Sequence, residues 1–334
     1  MRSRDAKGVK SFWTLILVYM GFCGAIAGLL SFHAASRPSF QAARIEGPVE
    51  PQVLAFYYPW YYPSSFWPDN CAYIPELSNY DSGNQTVIYT HFKWMKEASI
   101  TGIISSWWGR GDFTDTNFAK LLNISDQYPE CRMNLTIYYE TYGRPEEAIK
   151  ADLAYIVELY GSDPSFLKIN GTPVIFVYIP GTVPASSWAN IFRFLDESDL
   201  HAFFIGDTSD PSYFWLFSGS HMYNPLQYLR QNLDLGALYR SNERLANNYK
   251  MLYCTTVLAG YDDRKIRSPG TLLPRNGAET YNRTWNAALG SGCDWILITS
   301  FNEWWEGTQI EPSLAYGSYY LNLTRDHATT FLNT

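Results

Sequence analysis

Ile296-Leu-Ile-Thr-Ser-Phe-Asn-Glu-Trp-Trp-Glu-Gly-Thr-Gln-Ile-Glu311 is the stretch on which the reading of this chain turns. It opens as a short apolar strand and then becomes abruptly polar. Asn302, Glu303, Glu306, Gln309 and Glu311 crowd together, interleaved with Trp304 and Trp305. A buried strand that runs out into carboxylates, amides and indoles is how a barrel presents chemistry at the C-terminal ends of its strands. Two carboxylates within reach of one bond, beside aromatic rings, suit acid/base cleavage of a sugar linkage. Glu-x-x-Glu also occurs on solvated helix faces. Here it follows a β-rich run, and Trp304-Trp305 with Gly307 makes a poor exposed helix.

Outward from this stretch, the composition narrows the class. The chain has 334 residues, a formal net charge of −7, 12 Trp and 26 Tyr. Basic residues are not clustered in the body, which argues against nucleic acid as a partner. Residues 53–334 suit one (β/α)8 barrel of ~250 residues better than two small domains. Residues 12–32 carry no charge and approach the ~20 positions needed to span a bilayer. Arg2, Arg4, Lys7 and Lys10 precede them, so residues 1–11 read as a cytoplasmic tail, 12–32 as a signal anchor and 33–52 as a stem. A cleaved signal peptide is the rival reading, with Ala34-Ala35-Ser36 as the cleavage site, although its apolar core would be shorter, ~7–15 residues. Six Asn-x-Ser/Thr sequons, at Asn84, Asn123, Asn134, Asn170, Asn282 and Asn322, agree with a secretory route. Cys71, Cys131, Cys254 and Cys293 could form two disulfides in that setting or stand as buried thiols.

Periodicity along the body gives strands at 53–58, 102–107, 133–139, 173–178, 202–206, 220–223, 251–258 and 295–299. Helical patterns lie at 85–98, 116–124, 145–160, 188–195, 226–250, 279–289 and 319–332, with a short turn of helix near 213–217. Eight strands alternating with helices read as parallel βα units, an α/β chain closed as a TIM barrel. In such a barrel the residues just past each strand converge on one face. Those are Tyr58 and Trp60; Trp107 and Trp108; Glu140 and Tyr142; Tyr178; Asp207; Tyr223; Tyr261 and Asp262; and Glu303 with Glu306. Tyr178 and Trp107 also suit core packing, and Asp207 could simply cap a helix. The absence of a GxGxxG or P-loop sequence gives no support to a nucleotide cofactor. The five histidines show no ligand spacing, so neither metal nor other cofactor is expected.

Phe56-Tyr-Tyr-Pro-Trp-Tyr61, Ser106-Trp-Trp-Gly109, Gly260-Tyr-Asp-Asp263 with Ile266-Arg267, and Thr299 to Glu311 together resemble the endo-α-mannosidase family, glycoside hydrolase family 99. The resemblance runs from about Val53 to the end of the chain, and the last motif is the most specific. It implies a (β/α)8 barrel and a retaining endo-α-mannosidase acting on an α-mannoside-containing glycan. In that family the sugar's own 2-hydroxyl attacks the anomeric carbon, giving a 1,2-anhydro sugar. By motif position, Glu303 is the base for the 2-hydroxyl and Glu306 the acid/base. Trp108 falls at the −2 sugar, with Tyr58, Glu140 and Tyr223 around −1 and −2; Trp60, Asn302 and Trp304 complete the expected sugar-contacting set. Glu306 is then expected to be held protonated by burial against Trp304 or Trp305, and Glu303 to stay charged beside Asn302. The resemblance implies a Golgi or other secretory-pathway membrane; the positive-inside bias leaves the catalytic body lumenal, and a monomer is expected.

Two loops depart from the family's pattern. Tyr62-Pro-Ser-Ser-Phe-Trp67 is short where members carry a longer insert rich in His and Trp. Ile179-Pro180-Gly181 stands where they commonly have Asp-Ser-Tyr. The substrate class is therefore left open between N-glycan, α-mannan and another α-linked glycan, and a non-catalytic mannoside-binding membrane lectin is the reading from a different class.

Overall fold

The computed structural model describes residues 40–63 and 67–334. The expected tail and anchor lie outside the described residues. Among the described residues no helix is long and apolar enough to cross a membrane. Eight parallel strands form the barrel wall: β1 (Gln52–Tyr57), β2 (Gly102–Trp107), β3 (Asn134–Glu140), β4 (Thr172–Tyr178), β5 (Phe203–Asp207), β6 (Gly219–His221), β7 (Leu252–Leu258) and β8 (Trp295–Thr299). Each pairs in parallel with the next, and β8 pairs with β1 through Val53↔Ile296 and Leu54↔Leu297, which closes the ring. The expected eight-stranded barrel is thus the observed one.

The helices are α1 (Gln85–Glu97), α2 (Phe113–Gln127), α3 (Glu146–Tyr160), α4 (Ala185–Glu197), α5 (Leu226–Arg230), α6 (Leu235–Asn248), α7 (Glu279–Leu289) and α8 (Tyr319–Leu332). The helical pattern at 226–250 is two helices, broken where Asn232 takes a left-handed φ of 52° and Asp234 caps α6 by accepting from the Ala237 N–H. The short helix expected near 213–217 is a single 3-10 turn, Pro211–Tyr213, so β5 and β6 are joined without a packing helix.

Strand parity sorts the side chains. Leu54, Phe56 and Tyr58 belong to the cluster inside the barrel, while Val53, Ala55 and Tyr57 pack outward against the helices. Successive strand residues face opposite sides, so the parity that fills the barrel also selects what emerges at its rim. It puts Tyr58, Trp108, Glu140, Tyr178 and Asp207 on the inward register of their strands. Trp107 takes the outward register: it is fully buried, and its indole N–H donates to Asp115 of α2 at 2.9 Å.

The described part of the expected stem is not a free linker. The Ala42 N–H donates to the Trp215 carbonyl, Arg44 donates to the Phe214 and Phe217 carbonyls, and the indole of Trp295 reaches back to the Glu50 carbonyl. Residues 40–51 therefore belong to the barrel's body. All four cysteines of the body are free thiols, so the disulfide alternative is not realised.

Candidate active site

The polar end of β8 folds back on itself as a tight turn. Ser300 Oγ accepts the Glu303 N–H at 2.7 Å and pairs with Thr308 Oγ1 at 2.8 Å across the turn. Arg275 donates to the carbonyls of Gly307 and Gln309 from below. Gly307 sits at φ 63°, and a Cβ there would meet the Asp262 backbone at 3.0 Å. Only glycine allows this approach, in which the Asp262 N–H donates to the Glu306 carbonyl at 2.8 Å. The turn is thereby bolted to the loop after β7.

The two glutamates on this turn have different surroundings. Glu303 is 3% exposed. Its Oε1 accepts the backbone N–H of Trp305 at 3.1 Å and of Glu306 at 3.3 Å, whereas its Oε2 is buried with no partner. Burial, and then the neighbouring Glu306 carboxylate, pushes the Glu303 carboxyl well above the usual carboxylate range. Glu306 is oriented from the opposite side. Its Oε1 accepts from Arg267 Nη2 at 3.0 Å and from the Tyr261 hydroxyl at 3.2 Å. Arg267 also donates from Nη1 to Asp263 Oδ2 and the Tyr261 oxygen, both at 2.6 Å.

The surroundings of the two carboxyls differ from the expected ones. Glu306 does not lie against the indoles as its only company; it is paired with an arginine and a phenol. Burial raises the Glu303 carboxyl, and Asn302 does not bond to it. The Asn302 amide instead clamps the first strand, accepting the Tyr58 N–H at 2.7 Å and donating to the Tyr58 carbonyl at 3.1 Å. Asn302 is fully buried, so it positions Tyr58 rather than contacting a ligand.

Trp304 is corrected likewise. It is 0% exposed; its N–H is held by the Tyr61 hydroxyl at 2.9 Å, and its indole donates to Glu311 Oε2 at 2.9 Å. Glu311 closes a buried network with Tyr80 at 2.9 Å and His91 at 3.1 Å. Trp304 is a peg beneath the turn. The indole that reaches solvent is Trp305, which stacks on Trp60 with ring centroids 5.4 Å apart.

The other expected residues converge. The Tyr58 hydroxyl donates to the Tyr223 hydroxyl at 2.5 Å, and Trp60 packs on Tyr58 with centroids 4.6 Å apart. Asp207 does not cap a helix. It accepts the Tyr223 N–H at 3.0 Å and the Tyr138 hydroxyl at 3.3 Å, and burial lifts its carboxyl to about 6. A third bond to Asp207 comes from the backbone of Ile179, a β-branched residue held at φ 38° in the left-handed region, which fixes the departing Ile179-Pro180-Gly181 loop at the site's edge. Glu140 is 5% exposed and accepts from Ser106 Oγ at 2.8 Å. Burial pushes it up to about 8. The Trp108 indole donates to the same Ser106 Oγ at 3.1 Å, Thr114 Oγ1 accepts its backbone N–H at 2.9 Å, and Arg144 donates to its carbonyl. Trp108 is thus gripped at ring, amide and carbonyl.

Arg267, Tyr261 and Asp263 form the part of the site least visible in the expectations. The signal was present in Gly260-Tyr-Asp-Asp263 followed by Arg267, an acid and a cation four residues apart. A hollow of about 350 Å³ at the opposite barrel end, lined by Gln52, Lys96, Arg132 and Asn134 among others, holds no carboxylate. Among the described residues no cluster of His, Cys, Asp and Glu has the arrangement of a metal site.

The sequence pattern described as glycosyl hydrolase family 99 matches residues 63–331. A protein of Rattus norvegicus named glycoprotein endo-alpha-1,2-mannosidase is 29% identical over 273 residues, 73% of this chain and 57% of the rat protein. A glycoprotein endo-alpha-1,2-mannosidase-like protein of Homo sapiens is 25% identical over 304 residues, 78% of this chain and 65% of the human one. The chain therefore spans less than two thirds of the length of these relatives. Among solved structures, the GH99 endo-alpha-mannosidase from Bacteroides thetaiotaomicron in complex with Bis-Tris propane superposes with a TM-score of 0.76 at 26% identity, covering 84% of this chain and 97% of the other.

Proposed function

The chain belongs to glycosyl hydrolase family 99, and from that premise we propose that it is a retaining endo-α-mannosidase that cleaves internal α-1,2-mannosidic bonds of N-glycans or α-mannan. The observation that carries the reading is the unequal pair on one turn. Glu303 has one oxygen gripped by two backbone N–H groups and the other buried and unpartnered. A carboxylate so oriented suits removal of a proton from a hydroxyl delivered to its bare oxygen. That hydroxyl is the 2-OH of the −1 mannose, whose oxygen attacks C1 as the bond to the leaving oxygen breaks. Glu306 gives its proton to the leaving oxygen and later takes one from the water that opens the 1,2-anhydro ring at C1, while the proton that Glu303 took returns to O2 as the C1–O2 bond breaks. Net retention follows from two inversions at one carbon. No enzyme nucleophile is required, as in other substrate-assisted glycosidases. Arg267 and Tyr261 hold Glu306 in place for both proton transfers.

Trp108 carries the −2 sugar in this reading, with Tyr58, Trp60, Trp305, Glu140 and Tyr223 around it. Residues 12–32 anchor the body in a Golgi or other secretory-pathway membrane, amino terminus in the cytoplasm. Support for that placement comes from the uncharged run with basic residues before it.

The test is a digest by the purified chain of glucosylated high-mannose N-glycan and of unglucosylated α-mannan, in parallel, read by mass spectrometry. A released glucosylmannose fragment supports N-glycan trimming; a mannose-only disaccharide supports mannan as substrate. Glu303→Gln should release nothing while still binding the glycan. Turnover unchanged in Glu303→Gln would sink the mechanism, and binding without turnover by the unaltered chain would favour a mannoside-binding lectin.

A further inference from the structure

Resting on that reading, we propose that Tyr62 and Phe113 form a further sugar-binding platform on the rim, beyond the sugar carried by Trp108, which takes the next residue of a longer α-linked glycan. Tyr62 is 49% exposed and Phe113 39%. Their rings meet edge to face with centroids 5.9 Å apart. Among the described residues this is the ring pair in which both members are exposed. Scattered surface aromatics need no explanation, but two that pack on each other in water, at the catalytic end of neighbouring strands, leave ring faces for a ligand.

The pair is tied to the Trp108 position by short links. Phe113 opens α2 between its cap, Asp112, and Thr114. Thr114 Oγ1 accepts the Trp108 N–H at 2.9 Å, so Phe113 is one residue from the group that holds Trp108. Asp112 Oδ1 accepts the Thr114 N–H at 2.8 Å, which fixes the first turn. On the other side, Asn117 of α2 donates to the Pro59 carbonyl at 2.9 Å, joining the helix to the segment that leads through Trp60 and Tyr61 to Tyr62. The Tyr61 N–H is held in turn by Ser82 Oγ at 3.1 Å. The platform is thus preorganised, and a sugar laid on it displaces water from ring faces without ordering a loop. An α-linked hexose offers one apolar C–H face and a rim of hydroxyls, which matches the open ring face of an edge-to-face pair whose flanks stay in water. Among the described residues no cation lies over either ring, and a neutral sugar is the class the pair takes.

The experiment compares two oligosaccharides that share the scissile mannoside: one with two sugars on its non-reducing side and one with four. Tyr62→Ala and Phe113→Ala should lower kcat/KM for the long substrate about tenfold, the 1.4 kcal/mol of one stacking contact, and leave the short one within twofold. Tyr62→Phe should behave as the unaltered chain. Equal losses on both substrates would mean that the pair only supports Trp108, and no loss on either would mean that it binds nothing; both results overturn the proposal. If the unaltered chain cleaves neither compound, the endo-mannosidase reading fails separately. Calorimetric binding of the same two compounds then decides the platform, a long-over-short preference lost in Phe113→Ala supporting it and equal affinities refuting it.

Discussion

Replacing Trp304 by Phe separates the two roles that an indole between the two glutamates could play. The ring is 0% exposed, and its N–H donates to Glu311 Oε2 at 2.9 Å. Phenylalanine keeps most of the packing and deletes that donor. A hydrogen bond to a charged acceptor contributes ~1.5–3 kcal/mol, and a buried acceptor left short of one donor is costly. The smaller ring adds a void, for a combined cost of about 2–4 kcal/mol. One kcal/mol shifts the melting temperature of a large domain by roughly 2–4 °C, so Trp304→Phe should melt about 4–16 °C lower. Because the Trp304 backbone N–H donates to the Tyr61 hydroxyl, loosening of the peg reaches the turn that carries Glu303 and Glu306. kcat should therefore fall while KM moves less than threefold. Scanning fluorimetry and initial-rate kinetics on one preparation provide both readouts. An unchanged melting temperature with a tenfold rise in KM would refute the reasoning, since it would make Trp304 a sugar contact.

Arg267→Met should be more damaging. It strips the partner from Asp263 and Glu306, and breaking a buried ion pair costs ~3–5 kcal/mol; kcat should drop at least a hundredfold, and a variant with near-normal kcat would show that Glu306 needs no orienting cation. Glu140 gives a pH signature. Burial raises its carboxyl from 4.5 to about 8, so the folded protein keeps a proton that the unfolded chain releases above its lower pKa. Its contribution to stability is fully present below about pH 4.5 and is lost as pH rises toward 8. Glu140→Gln, which does not titrate, should flatten the fall in melting temperature between pH 5 and 8; an unchanged slope would remove Glu140 as its source.

Much of this molecule was legible without coordinates. Eight strands were visible because burial on both faces leaves near-continuous apolar runs, as in Val174 to Val177 or Ile296 to Ile298. The start of α1 is equally local, Asn84 accepting from an N–H group two residues on; α2 starts at Phe113 on its Asp112 cap, three residues before the start that periodicity gave. The eight-stranded barrel and the glutamates of the last strand's turn follow from such short-range signals.

What each site residue does was decided by partners far along the chain. Trp304 and Trp305 are neighbours of identical chemistry, yet one faces Glu311 in the interior and the other stacks on Trp60. Nothing within either residue tells them apart; the turn closed by Ser300, Gly307 and Arg275 assigns one ring inward. Asn302, expected beside a carboxylate, clamps Tyr58, 244 positions away. Glu306 finds its cation 39 residues upstream in Arg267, and Glu303 owes its shifted proton affinity to burial by the assembled barrel. Periodicity and turn chemistry are local and can be read from sequence. Desolvation and pairing exist only once distant segments exclude water together, and so the tertiary structure alone determined which carboxyl was bare and which was held.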